Sequence, residues 1–447
     1  MKTNSLNRNK SYDKENVILS KLKTKTINKI ARFSGFIQRS TGKISPKNLL
    51  IGFMIMISKQ RNTYCDWATE IGLLEKKTIS KQALNERMKP ETKQFVKNYL
   101  QDLLKQGLSK GKVGRIKGVL KQFNNIQIDD STTLSLPDAL VEEFPGNTSR
   151  GVPKAQAKIH AMYNLSENNF SFLNVHSFSN NDQSLSADVL PHLQKGDLCL
   201  RDMGFTVLDV VSKLIDKGVY FIARKKYCTK VFDVQSKMEI SLHKELRKTK
   251  FIDREVLVGS KQQIKVRLVA IPLSPEQAQE RRRKAREDRD RRLNHTPEYY
   301  ELLGYTIYIT NVSSKKCNAM EIFQLYKLRW NIEIIFKSWK SCFSIEKLIH
   351  NQCKNAIRVN CIIYLMLVYI YLFHVIWWHQ CEKNIGIEPT REPLSILKLA
   401  NFFKNHFVEL INSKSNKEII KQMKVHCMYE KREDRINAKK FKLKFAA

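Results

Sequence analysis

The sequence predicts a mixed α/β fold, α+β overall, with helical regions on both sides of a sheet-forming centre. Two observations carry this. Between about 29 and 110, apolar residues recur at helical spacing in NLLIGFMIMIS, TYCDWATEIGLL, TISKQALNERM and KQFVKNYLQDLL. From 126 the period switches to strands, in IQIDDSTTLSL, AKIHAMYNL and FSFLNVHSF, the last two parted by the polar turn SENN.

Each element follows in order. Residues 1–28 are rich in lysine and asparagine and read as a flexible basic arm. Residues 29–115 form a helical unit. Within it, Thr78 to Met88 offers capping residues at Thr78 and Ser80 and a polar face, which suits either a recognition helix or an ordinary surface helix. Residues 116–227 carry three strands, a helix at about 182–193, the short strand LCL, the helix TVLDVVSKLIDKG and the strand VYFIARKKY. That order is the one found in a ribonuclease-H-like core.

Residues 228–312 interrupt this core as a β-rich insertion with REVLVG, IKVRLVAIPL and GYTIYITN. It also holds one basic helix, QERRRKAREDRDRR, whose mixed signs fit a solvated face as well as a phosphate-contacting one. Residues 313–380 resume the core, and 381–447 form a basic helical C-terminal region. The stretch from Cys361 to Trp378 is apolar enough to raise a membrane span, but it suits a helix buried against a sheet, and no membrane partner is expected.

Composition narrows the function. Lysine and arginine number 79 against 43 acidic residues, a net charge of +36, which points to nucleic acid because phosphates neutralised by basic side chains release counterions. The nine cysteines contain no C-x-x-C pair, so reduced thiols and a cytoplasmic location are expected. The opening residues lack an apolar run of the kind a secretory leader has.

The most specific stretch runs from Tyr326 to Lys340. On a helix advancing about 100° per residue, Tyr326, Arg329, Glu333, Lys337 and Lys340 fall within an arc of roughly 80°. One face therefore carries a carboxylate ringed by a phenol, a guanidinium and two ammonium groups. A salt-bridged surface face is the alternative, since Arg329 and Lys337 each lie one turn from Glu333. Ile332, Ile335, Phe336 and Trp339 point elsewhere, and Trp330 and Trp339 are assigned to packing.

The spacing Tyr, two residues, Arg, three, Glu, six, Lys is the YREK signature, and the segment resembles the DDE transposases of the bacterial insertion sequence 4 family. Asp130 in IDDSTTL resembles that family's first aspartate and Asp202 in LRDMGF its second. The likeness covers roughly residues 60–380. It implies metal-dependent cleavage at insertion-sequence ends and strand transfer into target DNA, with Asp130, Asp202 and Glu333 as catalytic residues and metal ligands. Two Mg2+ ions, or Mn2+ in their place, would serve attack and departure. All-carboxylate donors suit such hard cations, whereas zinc would prefer His or Cys, and no H-x-x-x-H pair occurs.

The resemblance further implies that Tyr326, Arg329 and Lys340, helped by Lys337, hold phosphates of the element's ends. Tyr305 matches a position where relatives carry an aromatic able to stack an extruded base; a strand aromatic in a small core is the competing reading. The partners implied are double-stranded DNA, as ends and target, and a second copy of the chain in a synaptic homodimer, nucleoid-associated. Three converging like charges predict a loose site until a cation binds. Asp129 and Asp130 point to opposite faces of a strand, so only one can be a ligand. Asp130 precedes Ser131-Thr132, as in the family, which leaves Asp129 as a flanking surface residue. Two other readings share the residues: a nuclease of the same fold without strand transfer, and a catalytically silent DNA-binding descendant.

Overall fold

The computed structural model describes residues 16–39, 42–107, 118–167, 169–288, 296–350, 353–376, 395–412 and 417–428. Of the expected basic arm at 1–28, residues 1–15 lie outside them, as do the residues from 429 and Trp377 and Trp378, whereas 17–21 and 24–28 are helical and this stretch buries Ile18, Leu22 and Ile27 in the core. Helices α1 (Val17–Lys21), α2 (Thr24–Phe33), α3 (Pro46–Ser58), α4 (Tyr64–Glu75), α5 (Lys81–Glu86) and α6 (Pro90–Gln106) open the chain. Their starts follow local chemistry. Ser45 caps α3 through the Asn48 N–H, and Thr63 with Asp66 closes a reciprocal capping box on α4. The segment 78–88 forms only the six-residue α5, capped by Ser80, with Leu84 as its buried anchor.

Strands β1 (Ile126–Ser135), β2 (Pro145–Ser149), β3 (Val152–Asn164) and β4 (Asn169–Ser177) follow, then the short helix α7 (Asp182–Leu185), β5 (Leu198–Arg201), α8 (Leu208–Asp216) and β6 (Tyr220–Arg224). The helix expected at 182–193 is thus cut short. It stops at Leu185, and a 3-10 turn at Leu190–His192 carries Pro191, whose missing N–H cannot continue an α-helix. The β2 strand has no apolar alternation and was not expected.

The core sheet runs β4-β3-β1-β5-β6, with β3 antiparallel to β1 and β4, and β5 parallel to β1 and β6. A three-strand meander continued by two parallel strands through a helical crossover is the ribonuclease-H-like arrangement, as the order of elements predicted. Register fixes the faces. Ile126, Ile128, Asp130, Thr132 and Leu134 share one side of β1, and Gln127, Asp129 and Ser131 the other.

The insertion contains β7 (Val231–Phe232), α9 (Leu242–Thr249), β8 (Ile252–Val258), β9 (Ile264–Pro272), α10 (Pro275–Glu287), α11 (Pro297–Leu302) and β10 (Tyr305–Thr310). Its strands extend the core sheet in the order β6-β10-β9-β8-β7. On α10, Arg283 pairs with Glu280 and Glu287 along the helix, while Arg281 and Arg282 donate to the backbone carbonyls of Tyr305 and Tyr300.

Helices α12 (Ala319–Lys327), α13 (Asn331–Ser341), α14 (Ala356–Ile376), α15 (Ile396–Asn405), α16 (Phe407–Asn412) and α17 (Lys417–His426) complete the chain. From Val359 to Val375 the residues of α14 are almost all buried, packed against α6, α3 and β4. Its apolar length is therefore that of an interior helix, as expected from its place in the sequence. One continuous apolar core runs from Ile18 through α3, α6, β1, α13 and α14 to Met423, and a second fills the opposite side of the sheet. The described cysteines are free thiols.

Candidate active site

Three elements converge on the Ile128 face of the sheet. Asp130 projects from the middle of β1. Asp202 follows the last residue of β5, where Arg201 pairs in register with Asp129 and so turns its neighbour toward the Asp130 side. Glu333 stands in the first turn of α13, which packs on β1. The stretch from 319 to 341 is not one regular helix. A 3-10 turn at Leu328–Trp330 joins α12 to α13, with Arg329 inside that turn. Ile332, Ile335, Phe336 and Trp339 are buried, which holds the polar face of α13 outward.

Arg329 links the cluster. Its Nη1 donates to Asp130 Oδ2 at 2.6 Å and its Nη2 to Glu333 Oε1 at 2.9 Å. The Tyr326 hydroxyl donates to Asp202 Oδ1 at 3.3 Å, and the Ser131 N–H to Asp130 Oδ1 at 2.8 Å. A guanidinium thus occupies the place between two of the like charges that was expected to need a cation. Burial dominates at Asp130. It outweighs Arg329 and the Ser131 N–H, and with the nearby charges of Asp202 and Asp129 it pushes the carboxyl up to about 7. Burial and the neighbouring Asp202 push the Tyr326 phenol above its ordinary value, so it stays a donor. The charge of Arg224, at the end of β6, acts on the same phenol in the opposite sense.

Lys337 and Lys340 are exposed and neither pairs with a carboxylate among the described residues, unlike the internally paired α10. Tyr305 is engaged elsewhere. Its hydroxyl donates to the Leu246 carbonyl at 3.2 Å and its ring packs on the second core, within the insertion. Two assignments are corrected. Trp330 is 59% exposed with its ring 5.7 Å from the Arg329 guanidinium, because the 3-10 turn rotates it away from the core. Trp339, by contrast, is fully buried as expected.

Asp129 is not a surface residue but completely buried. Its Oδ2 accepts from Arg201 Nε at 3.0 Å and Nη2 at 2.6 Å, and its Oδ1 contacts His160 Nε2 at 2.7 Å. Burial works against the charged form, yet Arg201 and His160 together hold Asp129 below the ordinary carboxylate value. Arg201 also donates to the Ser186 carbonyl. Sequence reasoning missed this pair, since neither Arg201 nor His160 belongs to a recognisable spacing. An arginine at the end of an apolar strand was the only signal.

Gly204 in LRDMGF has a packing reason. A Cβ there would meet Asp182 Oδ2 at 2.9 Å, and Asp182 is held by Lys158 at 2.9 Å and Ser131 Oγ at 3.1 Å.

A family profile described as a transposase DDE domain matches residues 121–370, which span β1, β5 and α13. The chain belongs to that family. It is a DDE transposase of the insertion sequence 4 type, an enzyme of DNA cleavage and strand transfer in transposition. Relatives include the transposase of insertion sequence element IS231F from Bacillus thuringiensis subsp. israelensis, 27% identical over 366 residues, covering 77% of this chain and 75% of the relative. The transposase of IS1151 from Clostridium perfringens is 28% identical over 409 residues, covering 86% and 84%. Among solved structures, a piggyBac transposase synaptic complex with hairpin DNA aligns at a TM-score of 0.45 and 7% identity, covering 96% of this chain and 88% of that one.

Transposases of this family use divalent metal ions. The transposase presents only oxygen donors at Asp130, Asp202 and Glu333, and two of them already hold a cationic group, so the cluster fits a hard divalent ion.

Proposed function

We propose that Asp130, Asp202 and Glu333 are the catalytic carboxylates of this transposase and the ligands of two Mg2+ ions, with Mn2+ able to replace them. What supports the reading is the meeting of three carboxylates from β1, the end of β5 and α13, joined through the two signature residues Arg329 and Tyr326. Bound divalent ions would activate the attacking water or 3′-hydroxyl and stabilise the departing oxygen. The chain's own groups do the rest. Arg329, released from Asp130 and Glu333, can grip a phosphate bidentately, and the exposed Lys337 and Lys340 supply point charges along the same helix face. The raised Asp130 carboxyl must lose its proton before it can ligate.

The substrate is double-stranded DNA, first at the element's ends and then at the target. Hydrolysis frees 3′-hydroxyls that attack the target, so excision and reinsertion need no covalent protein intermediate. Synapsis of two ends implies a homodimer on DNA, working at the nucleoid in the cytoplasm. The helical region before β1 is the end-binding part of this reading, and Tyr305, held within the insertion, is assigned to packing rather than to base stacking.

The deciding experiment compares the wild type with Glu333→Ala on DNA carrying the ends that flank its gene, with and without Mg2+. Metal-dependent nicking and joining by the wild type alone supports the reading. End binding without cleavage in either protein would replace it with a silent DNA-binding role.

A further inference from the structure

On the opposite face of β1 from Asp130 lies a group of side chains that the cleavage reaction does not use. His160 on β3 is completely buried. Its ring stacks on Phe205 at 4.9 Å and 18° and meets Phe172 edge-on at 5.1 Å, so its orientation is fixed. Asp129 is a carboxylate already accepting from Arg201, and a carboxylate only accepts, so the proton of His160 resides on Nε2. The lone pair on Nδ1 therefore faces inward with no hydrogen-bond partner among the described residues. What it faces is Asp188 Oδ2, 3.9 Å away, another electron-rich atom.

His176 on β4 faces the same oxygen. Its Nε2 lies 3.5 Å from Asp188 Oδ2 and makes no hydrogen bond among the described residues either. The three atoms lie within 4.8 Å of one another. Two imidazole nitrogens thus gather around one carboxylate oxygen, with no hydrogen bond between them among the described residues, an arrangement that a shared cation would complete.

We infer that His160, His176 and Asp188 form a second metal site, distinct from the catalytic carboxylates, that takes a borderline-soft divalent transition ion such as Zn2+. Two imidazoles and one carboxylate favour such an ion over magnesium, which prefers oxygen donors. A tetrahedral ion with bonds of about 2.0–2.2 Å needs ligand atoms roughly 3.3–3.6 Å apart, so the His176–Asp188 edge already fits and the others close by side-chain movement. Three protein ligands leave the fourth position to water.

The surroundings are those of a histidine ligand. Asp129 accepts the proton on the far nitrogen, which fixes the tautomer and the ring orientation. Burial, with the neighbouring His160 and then Lys97 and Lys158, keeps His176 below its ordinary value, which favours the neutral form that ligates, although Asp188 acts in the opposite sense.

The consequence is mechanical. Asp188 belongs to the segment in which Ser186 accepts from Arg201 through its carbonyl and donates from Oγ to the Phe205 carbonyl. An ion here would fasten β3 and β4 to that segment, and through Arg201 and Phe205 steady the loop carrying Asp202.

The test is Co2+ titration of the full-length chain after chelator treatment. One equivalent should give the visible absorption of a low-coordinate Co2+ site, displaced by Zn2+ but not by Mg2+, and Zn2+ should raise the melting temperature by several degrees. The signature should persist in the Asp202→Asn/Glu333→Gln double variant and vanish in His176→Ala and Asp188→Asn. Should His176→Ala fail to fold, His176→Gln is read instead. A weak, six-coordinate spectrum in the wild type overturns the inference. So does a signature lost in the double variant and kept in the His176 and Asp188 variants, which assigns the ion to the catalytic carboxylates.

Discussion

The guanidinium of Arg329 sits between Asp130 Oδ2 and Glu333 Oε1, bonded to both. It competes for the same oxygens that a divalent ion would take. Arg329→Ala should therefore lower the stability of the metal-free protein by about 1–3 kcal/mol, the scale of a charge-assisted hydrogen bond. Mg2+ should restore more stability to this variant than it adds to the wild type. Melting curves with and without Mg2+ measure both effects, and a smaller Mg2+ shift in the variant would show that Arg329 does not compete with the ion.

A pH dependence follows from Asp130. Its folded-state value, pushed up to about 7, lies above the ordinary 3.8. Between those values the native state binds the proton that the unfolded state has released, so stability is fully present below about pH 4 and is lost as pH rises through 7. Metal binding has the opposite slope, strengthening up to about tenfold per unit below that value because the proton must leave. In chelator, Asp130→Asn should remove the stability loss between about pH 4 and 7. Identical pH profiles for variant and wild type would mean that Asp130 does not titrate there.

Asp129 and Asp130 separate by phenotype. Asp129→Ala leaves Arg201 buried without its carboxylate, a change that costs about 3–5 kcal/mol and should appear as a large drop in the urea midpoint. Asp130→Ala should abolish metal-dependent cleavage with a far smaller loss of stability. Cleavage surviving in Asp130→Ala would remove it from the catalytic set.

Lys337 and Lys340 should act by neutralising phosphates. Alanine at either should weaken end binding across sequences and flatten the salt dependence by about 0.9 in log–log slope for each phosphate no longer neutralised. Binding titrations between low and moderate salt give that slope. An unchanged slope would place the lysine off the DNA.

The core strands were readable because period-2 alternation survives in IQIDDSTTL and AKIHAMYNL, and a strand's faces follow from alternation alone. Asp130, Asp202 and Glu333 were readable through their local motifs, and the structure brings them together. What escaped depends on tertiary placement. Nothing in the sequence tells that His160 stands beside Asp129, since the contact arises from pairing 31 residues apart. Nor does helical periodicity foresee the 3-10 turn at Leu328–Trp330. That turn shifts the angular register between Tyr326 and Glu333, buries Arg329 against two carboxylates and exposes Trp330.

That exposure gives Trp330 a use that packing would not. Its indole is open to solvent beside the Arg329 guanidinium, a flat surface next to the cationic group expected to hold a phosphate. A base unpaired near the cleavage point could stack there, and such stacking is worth about 1–3 kcal/mol per base. Trp330→Ala should weaken binding to ends with one or two unpaired terminal bases by roughly 5- to 150-fold, while fully paired ends lose much less. Stability should change by no more than about 0.5 kcal/mol, because the side chain supports no core. Fluorescence anisotropy on the two DNA forms, with a melting curve beside it, reads both. An equal loss on paired and unpaired ends would assign Trp330 to general DNA contact, and a substantial fall in melting temperature would return it to packing.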